Sequence, residues 1–100
     1  MQNFNTANIS YNNYVTKLGW GNVISGCNKF CVIGIAVTAA KTIPGGTIIG
    51  TLPFNVAEIS VPLIQNSKVY IIAYGNNIRI ENQIESGQSI LAKIPTFVTI

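Results

Sequence analysis

One hundred residues make one domain with room for a single thin core. With 48% hydrophobic and only 9% charged residues, its solubility falls to amides and hydroxyls. The net charge of +3 comes from Lys17, Lys29, Lys41, Lys68, Arg79 and Lys93, strung out without a basic run, which argues against a phosphate-tracking nucleic-acid surface. The chain contains no His and no Asp. That removes the usual base of a Ser or Cys nucleophile and most metal-ligand sets, so neither an enzyme nor a cofactor is expected.

Seventeen Ile, twelve Asn and eight Thr favour strands and turns over helices. No apolar run reaches the length of a membrane span, the longest being Cys31 to Val37, so no membrane insertion is expected. Met1 to Asn8 has neither a basic start nor an apolar stretch of the kind a signal peptide needs. A protein made and kept in a cytoplasm, or exported by another route such as lysis, is the expectation. Cys27 and Cys31 lack the further ligands of a zinc site, and a continuous strand would hold their Cα atoms about 13 Å apart, too far for a disulfide. A turn at Asn28-Lys29 would bring them closer; two reduced thiols acting as small apolar residues are the expected state.

In chain order, residues 1–9 read as a linker or N-terminal arm and 10–100 as the folded domain. Tyr11 to Leu18 reads as a strand, Gly19-Trp20-Gly21-Asn22 as a turn holding the only tryptophan, and Val23 to Gly26 as a short continuation. The strongest strand is Phe30 to Thr38, with Cys31, Ile33, Ile35 and Val37 on one face and Phe30, Val32 and Ala36 on the other. Both faces are apolar, so the strand should be covered twice, by its own core and by a neighbouring copy of the chain. Pro44-Gly45 encodes a corner with φ > 0 at Gly45, and the following strand, Ile48 to Leu52, should end at Pro53. Asn55 to Pro62 then reads as a connection or edge segment. Val69 to Tyr74 is a strand, Gly75-Asn76-Asn77 a hairpin loop, and Ile78 to Glu81 the return strand with Arg79 and Glu81 outward. Ser86-Gly87-Gln88 turns the chain into Ser89 to Ile94, and Pro95 should separate this from Thr96 to Ile100. Seven to eight short strands with no helical period predict an all-β fold, an antiparallel β-sandwich or jelly roll or a small barrel.

The stretch Ile43-Pro44-Gly45-Gly46-Thr47-Ile48-Ile49-Gly50-Thr51-Leu52-Pro53, set between a strand after a Gly-Asn turn and a proline-closed connection, resembles a segment of the C-terminal head domains of phage tail fibre and baseplate receptor-binding proteins, those of phages and prophages of Gram-positive bacteria above all. There the segment reads Ala-Gly-Thr-x-Ile-Gly-Thr-Leu-Pro and is followed by Gly-Tyr-Arg-Pro. The match here covers Gly46 to Pro53, with Phe54-Asn55-Val56-Ala57 standing where the second part belongs. The resemblance implies a β-barrel head at the tip of a virion tail, assembled as a homotrimer beside other tail or baseplate proteins and binding host cell-wall saccharide. It carries over no ligand residue, because such sites lie in variable loops. A structural trimerisation and docking module without its own ligand is the alternative.

Saccharides offer C–H faces to aromatic rings and hydroxyls to amides and guanidinium groups, so a sugar site calls for Trp or Tyr beside Asn, Gln or Arg on exposed turns. Two stretches qualify: Trp20 with Asn22, and Tyr74 with Asn76, Asn77 and Arg79. Against these stand plainer readings, Trp20 as a core or interface plug and Asn76-Asn77 as turn formers. Glu81 and Glu85 read as solvated charges rather than a glycosidase pair, and Tyr70, Tyr74 and Arg79 make only a weak nucleic-acid groove.

Overall fold

The computed structural model describes residues 6–27 and 29–99 and is all-β, with two antiparallel sheets packed as a small sandwich. Its strands are β1 (Thr6–Ala7), β2 (Ser10–Tyr11), β3 (Val15–Lys17), β4 (Ile24–Cys27), β5 (Phe30–Ala39), β6 (Thr47–Pro62), β7 (Tyr70–Ile80) and β8 (Ser89–Phe97). One sheet is built on β5 and the other holds β2, β6 and β7.

The strand predicted at Phe30 to Thr38 is the axis of the first sheet. Along one edge β5 pairs with β8 from Phe30↔Phe97 to Thr38↔Ser89; along the other it pairs with β4 over Phe30 to Ile33 and with β3 over Val37 to Ala39. Its predicted inner face is buried throughout, with Cys31, Ile33 and Val37 at 0% exposure. The outer face is open in the single chain at Phe30, which is 47% exposed. The strand expected over Tyr11 to Leu18 is instead two. Asn12 accepts the Tyr14 N–H at 3.0 Å and donates to the Ile48 carbonyl at 2.7 Å, a local turn that breaks extended geometry. At that break the chain leaves β2 in one sheet and enters β3 in the other.

The arm expected over residues 1–9 is part of the fold where it is described: Thr6 and Ala7 pair with Ser25 and Ile24, and Ile9 is buried. Residues 1–5 lie outside the described residues. The Pro44 corner sits one residue later than predicted. Its closing bond runs from the Thr47 N–H to the Pro44 carbonyl at 3.3 Å, so Pro44 opens the turn and the positive φ of 86° belongs to Gly46.

Strands β6 and β7 double back. An extended chain of β7's length would separate its ends by roughly 35 Å, yet the Glu81 N–H donates to the Tyr70 carbonyl at 2.9 Å. The reversal lies at Gly75, whose φ is 59°, which is where the hairpin was predicted. The two arms of β6 flank this hairpin: Thr47 to Thr51 pairs with Ile80 to Asn77, and Val56 to Pro62 with Gly75 to Tyr70. First arm beside last is a Greek-key order, with 52–55 crossing between them.

That crossing revises the role of Pro53. Extended backbone continues through it and through Asn55 to Pro62, although pairing with β7 stops at Thr51 and resumes at Val56. Pro53 falls where β7 asks for no donor. Pro95 is likewise inside β8 and not between strands. Leu91, of the same parity, turns its N–H and C=O away from β5 toward Gln65 and Ile64, so the Pro95 nitrogen also faces the outer edge, where no ladder bond is lost.

The core is aliphatic. Nine isoleucines are among its largest fully buried side chains, each burial contributing about 1.5–3 kcal/mol. No described aromatic residue is fully buried: Tyr11, Tyr14 and Phe54 pack partly against the core, and Trp20, Phe30, Tyr70, Tyr74 and Phe97 are exposed. β4 and β5 pair as neighbouring antiparallel strands, Gly26 with Cys31 and Cys27 with Phe30, while the turn expected at Asn28-Lys29 falls in part on Asn28, which lies outside the described residues. Cys31 is a free, buried thiol whose pKa burial pushes up. Its reaction with an aromatic disulfide reagent at pH 8 should therefore run at the rate of unfolding and become immediate in 6 M guanidinium; a fast native reaction at this residue, read by peptide mapping, would contradict the packing.

Candidate functional site

The Trp20 turn exists because one edge of β5 is incomplete. Between its pairings with β4 and β3, residues 34–36 have no strand beside them, and the chain from Leu18 to Val23 loops out across the gap. The Val23 carbonyl accepts the Gly34 N–H at 2.8 Å, and the Asn22 side chain takes the place of a strand opposite Ala36. Its Oδ1 accepts the Ala36 N–H at 2.8 Å and its Nδ2 donates to the Ala36 carbonyl at 2.7 Å. Nδ2 also approaches the Leu18 carbonyl at 2.9 Å and the Trp20 carbonyl at 3.0 Å, and Oδ1 accepts the Tyr11 hydroxyl at 2.8 Å. A primary amide has two N–H donors and two acceptor lone pairs. All are used, so Asn22 holds the loop and has no capacity left for a ligand.

Trp20 does not plug the core: it is 62% exposed. Its loop encloses a depression of about 310 Å³ that also touches Lys17. A second depression of about 230 Å³ adjoins it through Gly21 and Val23, with Val32, Gly34 and Lys93 on the outer face of the sheet. Gly34 is required here, because a Cβ on it would stand 2.7 Å from the Gly21 carbonyl oxygen and 3.1 Å from that of Val23. Further along the same face Phe30 and Phe97 meet edge to face, centroids 5.6 Å apart. These two rings, with Lys17 and Lys93, were not among the residues singled out from sequence. The parity of β5, which put Phe30 on its outer face, was the available signal.

The second predicted group lies on the other sheet, remote from Trp20 in topology. By alternation Tyr74, Asn77 and Arg79 share the outer face of the β7 hairpin with Tyr70 and Ile72, while Ile71, Ala73, Ile78 and Ile80 face the core. Tyr74 is 53% exposed and Asn76 sits exposed at the reversal. Arg79 is paired with Glu81, Nε to Oε1, at 3.5 Å, an ion pair open to solvent and worth little to stability. This face offers an exposed ring, amides and a guanidinium.

A third feature is a hollow of about 350 Å³ between the 63–69 loop and the turn before β8, lined by Leu63, Gln65, Asn66, Ile84, Gln88 and Ser89. Much of its polar lining serves the fold. Gln65 donates to the Ser89 carbonyl and accepts the Leu91 N–H, Gln88 accepts the Glu85 N–H, and Asn66 accepts the Lys68 N–H. Among the described residues no group of three or more His, Cys, Asp or Glu could hold a metal ion. No protein-family model matches the chain, no curated protein matches it, and no solved structure matches it.

Proposed function

We propose that this domain is a non-catalytic recognition module of a phage or prophage tail tip that binds saccharide of the host cell wall as a homotrimer. One observation carries the reading: the described core holds no fully buried aromatic side chain, while five aromatic residues stand exposed on the two outer sheet faces and the Trp20 loop. Aromatic rings are the most rewarding residues to bury, so a small domain that leaves them outside holds them available for contact. The resemblance of Gly46 to Pro53 to tail-tip heads supports the same reading, as does a composition too poor in charge for a comfortable solitary exterior.

The test is an array of cell-wall polysaccharides probed with the wild type, Trp20→Ala and Tyr74→Ala, each checked for mass in solution. Loss of one ring from a sugar platform should weaken binding about tenfold while leaving assembly unchanged. A structural docking module is favoured instead by the apolar Phe30–Phe97 face; its signature is no glycan signal together with stoichiometric capture of another tail protein.

A further inference from the structure

The two depressions adjoin through Gly21 and Val23, and we infer that they act as one trough that takes an anionic saccharide, one whose units carry carboxylate or phosphate. The inference rests on the saccharide reading above and adds to it a place and a charge. One wall is backbone: the absence of a side chain at Gly34 lets Gly21 and Val23 settle onto β5, and Gly34 bonds the Val23 carbonyl at 2.8 Å. The floor is Val32, half-buried and apolar, with Gly34 beside it. The opposite wall is Lys93, directly across from Gly34 in the β5–β8 ladder and outward by parity, because Ala92 and Ile94 on either side are buried. The Trp20 loop closes one end.

The electrostatics of this trough are one-signed. Its ionisable side chain is Lys93, a cation; Lys17, opposite the core-facing Val37 in the β3–β5 ladder, points to the other face of the sheet. The three carboxylates of the chain, Glu58, Glu81 and Glu85, line neither depression. Among the described residues the ion pair is Arg79 with Glu81, so Lys93 stands without a carboxylate partner. A ring for a sugar's C–H face, an apolar floor and an unpaired ammonium match a sugar bearing a negative group, and a charge-assisted hydrogen bond from Lys93 would fix its orientation. Neutral sugars would forgo that bond.

Binding should be measured by titration calorimetry at 20 mM and 300 mM NaCl with three probes: oligogalacturonate, phosphorylated dextran oligomers and neutral dextran oligomers. Wild type should bind at least one anionic probe about tenfold or more tightly than the neutral one at low salt, the two anionic arms deciding between carboxylate and phosphate. Lys93→Gln and Trp20→Ala should each weaken that binding about tenfold, and Lys93→Gln should flatten its salt dependence. Lys41→Gln/Lys68→Gln, which removes more charge elsewhere on the surface, should bind as wild type does. Equal affinity for anionic and neutral probes overturns the assignment, as does equal weakening by the distant pair. If cell-wall glycans bind on the array and Lys93→Gln leaves that binding unchanged, saccharide recognition survives and the trough is wrong; if no saccharide binds, both fall.

Discussion

Replacing Asn22 with Ala should destabilise the domain by about 2–4 kcal/mol, since it strips partners from the Ala36 N–H and the Tyr11 hydroxyl together, each orphaned group costing roughly 1–3 kcal/mol. For a domain whose whole stability is on the order of 5–15 kcal/mol, that is a lowering of the melting point by more than 10 °C. The effect should exceed what loss of a loop residue normally causes, because this side chain stands in for a missing stretch of strand opposite Ala36. Asn22→Asp should be no better than Ala: it keeps the acceptors but sets a carboxylate oxygen against the Leu18, Trp20 and Ala36 carbonyls. Urea denaturation followed by circular dichroism gives the number. A loss below 1 kcal/mol would mean the gap in β5 is bridged by something other than this amide.

The same contact predicts a pH dependence. Burial holds the Tyr11 hydroxyl protonated well above the ordinary tyrosine range, and it donates to Asn22 Oδ1 at 2.8 Å. In the unfolded chain it ionises near pH 10. Above that pH the unfolded state binds fewer protons than the folded one, so stability is full below about pH 10 and falls as pH rises toward the folded-state value. Tyr11→Phe should remove this part of the alkaline decline, seen as a smaller slope of unfolding free energy between pH 9 and pH 11 than wild type shows. Identical slopes would sink the assignment.

Ile33→Ala should cost about 3–4 kcal/mol, and Ile33→Val about 1 kcal/mol. Ile33 lies between Ile24 on β4 and Ile94 on β8 in a row across three strands, and all three are at 0% exposure. A cavity there is walled by two ladders that cannot close without breaking register. Phe30→Ala, three residues away but on the open face, should change the stability of the isolated chain by less than about 1 kcal/mol while reducing any self-association. The contrast between the two, with an unchanged denaturant slope, tests the alternation of β5.

How far the sequence could be read follows from which forces are local. The alternation of Cys31, Ile33, Ile35 and Val37 foretold β5 because burial on one face of a strand has a period of two and needs no knowledge of partners. Gly75 and Gly87, with φ of 59° and 88°, marked reversals because the required backbone region excludes most other residues. Pro53 and Pro95 misled. Whether Pro53 or Pro95 ends a strand depends on which edge its nitrogen faces, and that is fixed by neighbours far away in the chain. Asn22 misled for a related reason: as a turn residue beside a tryptophan it resembled a ligand group, and only the gap between β3 and β4 turned it into a strut.

Residue order alone settled the all-β class, the inner face of the central strand and the reversals at Gly75 and Gly87, since propensity, period and positive φ act within a few residues. Tertiary structure decided the rest: which sheet each strand joins, the doubling of β6 around β7, and the placing of Trp20, Lys93, Phe30 and Phe97 on open faces. Those outcomes depend on long-range pairing, and pairing energy belongs to two segments at once, so neither segment encodes it by itself.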